Sequence, residues 1–467
     1  MLVATVAVMT FTDESFAELA GGVSGVVFRR GDAGVADETA AQNVLVKHDP
    51  DVVVGAADEQ DVAAAVRFAR SNDLAVHVLA TGHGAYVPVT DGVLITTSRL
   101  SALAIDPERR VAHIGAGNHW SSVVAAAAEH ALAPITGASG HVGVVGYLLG
   151  GGLGPLARTY GFSSDYVRSF EVVTADGEVL RASADENADL FWALRGGKGG
   201  FGVVTSVHLA LVDLESFYGG SLFYDAESIP AVLGAWADFT ATAPERATSS
   251  VAVIRFPPFD VVPEPLRGKT AITARIAYIG DPAEGERLFA PVQDAAPAIF
   301  GHVGVMPASE VSMIHNDPTD PSPVFDRGML LDTVDHDFVA AFLEVLGPEQ
   351  QVPIVAAELR HIGGATARDV PEGSAVGGRS AGYTFIMIGA PDPSLFGTVL
   401  PQIADGVTAH LARWVSTENN VNFAGDLSVP GSYEASWPAA TFDRLASVRE
   451  AYDPTHLFPY PDAPTAS

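Results

Sequence analysis

Three glycine-rich runs lie between residues 80 and 204, and one histidine stands between two glycines in the first of them. The runs are Ala80-Thr81-Gly82-His83-Gly84, then Gly137-Ala138-Ser139-Gly140-His141-Val142-Gly143 continuing through Gly146-Tyr147 to Gly150-Gly151-Gly152, then Arg195 to Gly202 followed by Val203 and Val204. Glycine lets backbone amides approach a ligand closely and adopt positive φ, and clusters of such amides hold pyrophosphate. A dinucleotide is therefore the expected ligand. His83, in a loop of this type, is placed to meet a ligand rather than a core, with an ordinary hydrogen-bonding role as the alternative. A Walker loop is excluded because Lys198 is followed by glycine and the run leads into a strand. A Rossmann fingerprint would need its glycines in a first strand–helix turn with an acid about 20 residues later, and no such unit stands out. The histidines show no metal-ligand spacing, so no metal site is expected.

The elements that must position these runs follow from periodicity. Val52–Val54 reads as a buried strand. Asp58 caps a helix whose Val62, Ala65, Val66 and Ala69 share one face. Leu74–Leu79 is a second strand running directly into the His83 loop, the position where α/β layers dock ligands. Strands are expected at Val93–Thr97, Val111–Gly115, Phe170–Thr174 and Val203–Leu211, with helices from Trp120 (Val123, Val124, Ala127 and Ala128 inward) and over Asn187–Leu194. Beyond residue 213 the texture changes to strands at Ser250–Phe256, Ala271–Ile279, Ile354–His361 and Tyr383–Ile388. These are interleaved with helices at Glu284–Ala295 and Leu395–Trp414, as in an α+β unit on a largely antiparallel sheet. From Val415 the pattern differs again and ends in a helix over Thr441–Tyr452, stopped by Asp453-Pro454.

Composition bounds the rest. A chain of 467 residues with 48% hydrophobic and 18% charged residues can build a large core in two or three domains. The net charge of -30 repels phosphate backbones and anionic lipid, which argues against nucleic-acid or membrane-surface partners. There is no cysteine, which removes disulfides, thiolate metal sites and thiol nucleophiles together. The apolar start Met1–Met9 lacks a basic segment and is followed by Asp13 and Glu14, so a signal peptide is not expected. No apolar stretch reaches spanning length, and a soluble, cytoplasmic protein is the expectation.

The ordered set of motifs resembles the berberine-bridge-enzyme-like branch of the vanillyl-alcohol-oxidase and p-cresol-methylhydroxylase flavoproteins. Thr81–Gly84 resembles that family's Gly-Gly-His loop, and Gly137–Gly143 with Gly150–Gly152 resembles its Gly-x-Cys-x-x-Val-Gly segment and triple glycine. Tyr160-Gly161 to Asp165, Val172–Gly177, Leu190–Gly197 with Phe201–Thr205, and more faintly Asn422-Phe423 and Tyr452–Phe458, complete the set. The resemblance implies an FAD-binding domain of the vanillyl-alcohol-oxidase type made from both chain ends (residues 1–212, core 46–212, plus 415–467). Residues 213–414 would form a substrate domain with a mainly antiparallel sheet covered by helices. It further implies FAD contacts at Ala80, Thr81, Gly82, His83, Gly84, Gly137, Ser139, Val142, Gly143, Gly146, Tyr147, Gly150, Gly151, Gly152, Gly202, Val203, Val204, Asn422 and Phe423. His83 would be bonded to the flavin 8α-methyl carbon.

Departures from the family pattern sharpen these expectations. Ser139 stands where doubly linked members carry cysteine, so a second thioether link is chemically impossible and the flavin is held once. Val142 resembles the small residue of oxygen-using members, which favours an oxidase: hydride from an alcohol, sugar or amine-type carbon goes to flavin, and O2 regenerates it with release of H2O2. A dehydrogenase or a cyclising tailoring enzyme using another acceptor is the alternative, and a flavin carrier without turnover the non-enzymatic one. The family's phenolic and carboxylate bases do not carry over, because Phe423, Leu153 and Arg368 occupy the matching positions. The remaining base candidates are Tyr147, Glu358, His361 and Tyr383. On a strand Glu358 and Arg360 share one face while His361 points to the other. A small-molecule substrate and O2 are the expected partners, in a monomer or homodimer.

Overall fold

The computed structural model describes residues 11–460; the apolar run Met1–Met9 lies outside them. Two bodies of sheet structure make the frame. The first holds a four-stranded sheet ordered 26–29, 52–55, 93–96, 76–79 and a five-stranded antiparallel sheet ordered 103–106, 111–115, 203–210, 167–173, 179–183. In the four-stranded sheet the inner strands pair in parallel, because the helix Glu59–Ser71 crosses over between Val52–Gly55 and Val76–Leu79. That helix starts where Asp58 accepts from the amides of Gln60 and Asp61, and it buries Val62, Ala65, Val66 and Ala69. The helix Trp120–Ala128 buries Trp120, Val123 and Ala127 but leaves Ala128 exposed, so its inward stripe is narrower than the sequence predicts.

The second body is a seven-stranded antiparallel sheet, ordered 300–307, 216–225, 270–278, 247–255, 354–361, 383–389, 326–331. One face is covered by the helices Ile229–Thr242, Pro282–Gln293, His336–Leu346 and Val399–His410, around a core containing Trp236, Phe289, Phe338, Phe342 and Phe385. The last of these helices is shorter than the predicted Leu395–Trp414, since residues 393–395 form a separate turn and Leu411 ends it. The other face of the sheet looks toward the first body. The segment after residue 415 returns to that first body: Val421, Tyr433, Leu445, Val448 and Leu457 join its core, and Val76 donates its amide to Leu457. Among the described residues no helix is long and apolar enough to cross a membrane.

Candidate active site

The His83 loop leaves the strand Val76–Leu79 and turns at Gly82, whose φ of +69° suits glycine. A Cβ at Gly82 would lie 2.4 Å from that of Ala41, so the turn also requires the missing side chain. Beside it runs the segment Gly137–Gly143, held by bonds from Trp120 to the Val142 carbonyl and from Ser121 to the Gly140 carbonyl. Ser139 and Val142 are half-buried there. Gly84 and Gly146 have nothing within 4 Å of where a Cβ would stand, so both border open space. Ala80 is exposed and Thr81 half-buried, and both approach Gly143.

The His83 ring is half-buried, and its Nε2 is buried with no hydrogen-bond partner among the described residues. Burial lowers its pKa, against the pull of the His141 backbone, so the ring is neutral near pH 7. A neutral imidazole with one orphaned nitrogen beside glycines that border open space is a site waiting for a ligand atom. These residues fit a flavin dinucleotide.

Several of the glycines expected to touch the cofactor do a different job. Gly150, Gly151 and Gly152 are buried by protein. A Cβ at Gly150 would lie 2.0 Å from Asn422 Oδ1, and one at Gly152 2.4 Å from the Tyr147 ring. The triple glycine thus lets Asn422 and Tyr147 pack against the turn, and it does not line an open cradle. Gly137 is likewise closed by the Tyr147 ring. Val203 and Val204 are core residues of a strand paired to Val173 and Val172, and Gly202 makes the entry to that strand at φ +141°. Phe423 is buried with Leu153, Phe162 and Leu330. Asn422 is half-buried, donates to the Tyr147 carbonyl at 2.9 Å, and accepts from Lys198 Nζ at 2.7 Å. The Lys198 ammonium also donates to the Gly146 carbonyl, and burial drops its pKa to about 8. Sequence reasoning used Lys198 only to dismiss a Walker loop; the long-range contact to Asn422 left no local signal.

Across the cleft, the inner face of the seven-stranded sheet carries a charged cluster. Arg275, Ser250, Arg360 and Thr384 are direct cross-strand partners in one row, and Thr273, Ala252, Glu358 and Ile386 form the adjacent row. Glu358 receives Arg275 Nη1 at 2.9 Å on Oε1 and Arg360 Nη2 at 2.7 Å on Oε2. His315, which follows the short helical turn 308–314, places Nε2 3.0 Å from the same Oε1, though outside good hydrogen-bonding geometry. Burial works to raise the Glu358 pKa, but Arg360, His315 and Arg275 outweigh it and hold the carboxyl well below its usual range. Burial and Arg275 keep His315 neutral against the pull of Glu358. Tyr147 lies within electrostatic reach of Arg360, and burial pushes its phenol well above the usual tyrosine value. Its hydroxyl is buried with no partner of good geometry among the described residues. Leu153, Gly154 and Pro155, which follow the triple glycine, form the opposite wall of the cavity that contains Arg275, His315 and Arg360.

His361 and Tyr383 are corrected by their placement. Their strands turn them to the helix-covered face, where the rings stack with centroids 5.0 Å apart and Tyr383 donates to Thr240. Arg158 Nη1 approaches His361 Nε2 at 2.9 Å, and burial with that arginine drops the histidine to about 3. Tyr383 does not line the cavity, and the His361 ring is engaged by Arg158 and Tyr383 at its edge. Glu358 is in the cleft, but as the shared acceptor of two arginines. The residues that sequence reasoning missed are Arg275, His315 and Lys198. Arg275 lies within a correctly expected strand, yet nothing in one strand signals a partner on another.

Comparison with known proteins agrees with this geometry. Residues 50–183 match the FAD binding domain family. The FAD-dependent monooxygenase prx3 of Penicillium roqueforti is 37% identical over 195 residues, a stretch covering 41% of this chain and 38% of that protein. The chain thus spans well under half the length of that relative. Among solved structures, 6-hydroxy-D-nicotine oxidase from Arthrobacter nicotinovorans superposes with a TM-score of 0.80 at 22% identity, covering 93% of this chain and 96% of that one. Berberine bridge enzyme from Eschscholzia californica does so with a TM-score of 0.80 at 19% identity, covering 96% and 98%. At these identities the likeness establishes the fold.

Proposed function

We propose that this chain, which carries an FAD-binding domain in the fold of berberine bridge enzyme, is an FAD-linked oxidase of a small molecule, with His83 as its only covalent anchor. The observation that carries this reading is the buried, unpartnered Nε2 of a neutral His83 at the edge of the glycine-bordered cleft. Thr81, Gly84, Gly143 and Gly146 would hold the cofactor on that side, with Asn422 and the Lys198 ammonium behind it. FAD, when bound, supplies the acceptor for a hydride from substrate carbon and is regenerated by O2 with release of H2O2.

The protein's own part is to orient the substrate and move one proton. Tyr147 is a poor base because burial keeps its phenol protonated, and Glu358 because both of its oxygens already accept from arginines. His315 is neutral, its Nε2 lies 3.0 Å from Glu358 Oε1, and its Nδ1 has no partner among the described residues. It takes the substrate O–H or N–H proton at Nδ1, and Glu358 positions the ring. Burial of the cluster behind Leu153–Pro155 excludes water from this transfer.

The test is direct. After acid precipitation of the purified protein, flavin absorbance should stay with the pellet, and His83→Ala should release all of it. Oxygen uptake with a panel of alcohols, sugars and amines should yield equimolar peroxide. Flavin found wholly in the supernatant refutes the link, and rapid flavin reduction without peroxide refutes the oxidase.

A further inference from the structure

The cluster on the inner face of the sheet is not electrically balanced. Two guanidinium groups, Arg275 and Arg360, are met in the cavity by one carboxylate, Glu358, while His315 is neutral. Arg275 and Arg360 are 4% and about 16% exposed at residue and side-chain level respectively, so the surplus positive charge is not left to bulk water. The exposed Asp317 also acts on both arginines. Inside the cavity a second carboxylate would meet guanidinium groups that water does not reach.

The donors are also incompletely used. Each arginine gives one terminal nitrogen to Glu358, and the Nε of both is buried without a partner among the described residues. Ser250 lies directly between them in the cross-strand row, and its hydroxyl is likewise buried and unpartnered. Strands two apart in a sheet are separated by about 10 Å. The small side chain of Ser250 leaves the floor of this gap low, with an arginine rising on either side. A planar, two-oxygen anion is the group whose shape and charge match converging guanidinium donors. The remaining wall is apolar, with Leu153, Pro155 and Ile314, which suits a hydrocarbon body attached to that anion.

We propose that the substrate of this site is a carboxylate: a small acid whose carboxylate sits over Ser250 between Arg275 and Arg360, with its apolar part against Leu153 and Pro155. This rests on the reading of the cleft as the oxidase active site, and it specifies what enters it. The carboxylate would leave the oxidisable carbon and its O–H or N–H free to reach His315.

The experiment titrates the flavin-loaded protein with acetate and benzoate, and with the neutral isosteres benzamide and benzyl alcohol, at constant ionic strength, following the flavin absorption band. The proposal expects a saturable band shift with at least one carboxylate, at an affinity at least tenfold above that of either neutral analogue. A charge-assisted hydrogen bond of this kind accounts for about tenfold or more. Arg360→Met should weaken carboxylate binding about tenfold or more while leaving the neutral analogues unchanged, and Arg275→Met serves as the second variant should Arg360→Met not fold. Equal binding of benzoate and benzamide, no saturable shift with either carboxylate, or undiminished carboxylate affinity in the folded variant overturns the proposal. A protein that carries no flavin fails the oxidase reading itself, before any titration, so the two failures are distinguishable.

Discussion

The two walls of the cleft are built on opposite plans. The FAD-domain wall is mostly main chain: a turn at Gly82, open edges at Gly84 and Gly146, and the His83 ring with an unmet nitrogen. The sheet wall is mostly side chain: Arg275 and Arg360 from two strands and His315 from a separate turn converge on the two carboxylate oxygens of Glu358. A backbone wall recognises a constant cofactor, since amides and missing Cβ atoms offer little chemical variety. A wall of side chains can be altered one residue at a time.

This contrast can be broken by substitution. His315→Asn should slow flavin reduction by about 10²–10⁴-fold while leaving acid-stable flavin intact, because a general base contributes on that scale. Stopped-flow reduction with a substrate found in the panel would show it, and an unchanged rate would return the base role to another group. Glu358→Gln should destabilise the fold by about 3–5 kcal/mol, since it strands two buried guanidinium groups without their shared counter-charge. Its urea midpoint is the measurement, and a shift below about 1 kcal/mol would mean that solvent already balances the cluster.

On the glycine wall, Gly150→Ala should cost about 1–3 kcal/mol through overpacking against Asn422, and should perturb the Lys198–Asn422 contact. Thermal unfolding checks the first effect. Equivalent substitution at Gly146, where a Cβ meets nothing, should leave stability of the flavin-free protein nearly unchanged while impairing flavin incorporation. Normal flavin content in Gly146→Ala would remove that residue from the cofactor wall.

A further effect depends on pH. His361 has a folded pKa near 3, below the ordinary histidine value of about 6.5, so the unfolded chain binds its proton more readily. Its contribution to stability is therefore present above about pH 6.5 and lost progressively as pH falls toward 3. Glu358, also depressed, adds a loss only below about pH 4.3, its ordinary unfolded value. Between pH 6.5 and 4.5, His361→Gln should flatten the fall in stability; an unchanged slope would assign the acid sensitivity to other buried histidines such as His315.

The limits of reading the chain follow the same division. The parallel crossover 52–79, the His83 turn and the strand 354–361 were legible because local periodicity and glycine placement dictate them. The strand at 216–225, the helix 229–242 and both sheet-edge strands at 300–307 and 326–331 were not, since their burial comes from partners far along the chain. The alternation that put Glu358 and Arg360 on one face and His361 on the other was correct, but which face meets the cleft was invisible. Hence His361 and Tyr383 entered the candidate set on equal terms with Glu358.

By itself, the sequence determined where the backbone could be bare, which histidine stands between two such glycines, and that no thiol could form a second link. Those are properties of residue type and spacing. Only the tertiary structure decided that the triple glycine serves packing, that Lys198 is buried against Asn422, and that two arginines share one glutamate beside His315. The physical reason is range: φ preference and missing Cβ atoms act within a turn, whereas charge balance and desolvation are set by groups that only the folded sheet brings together.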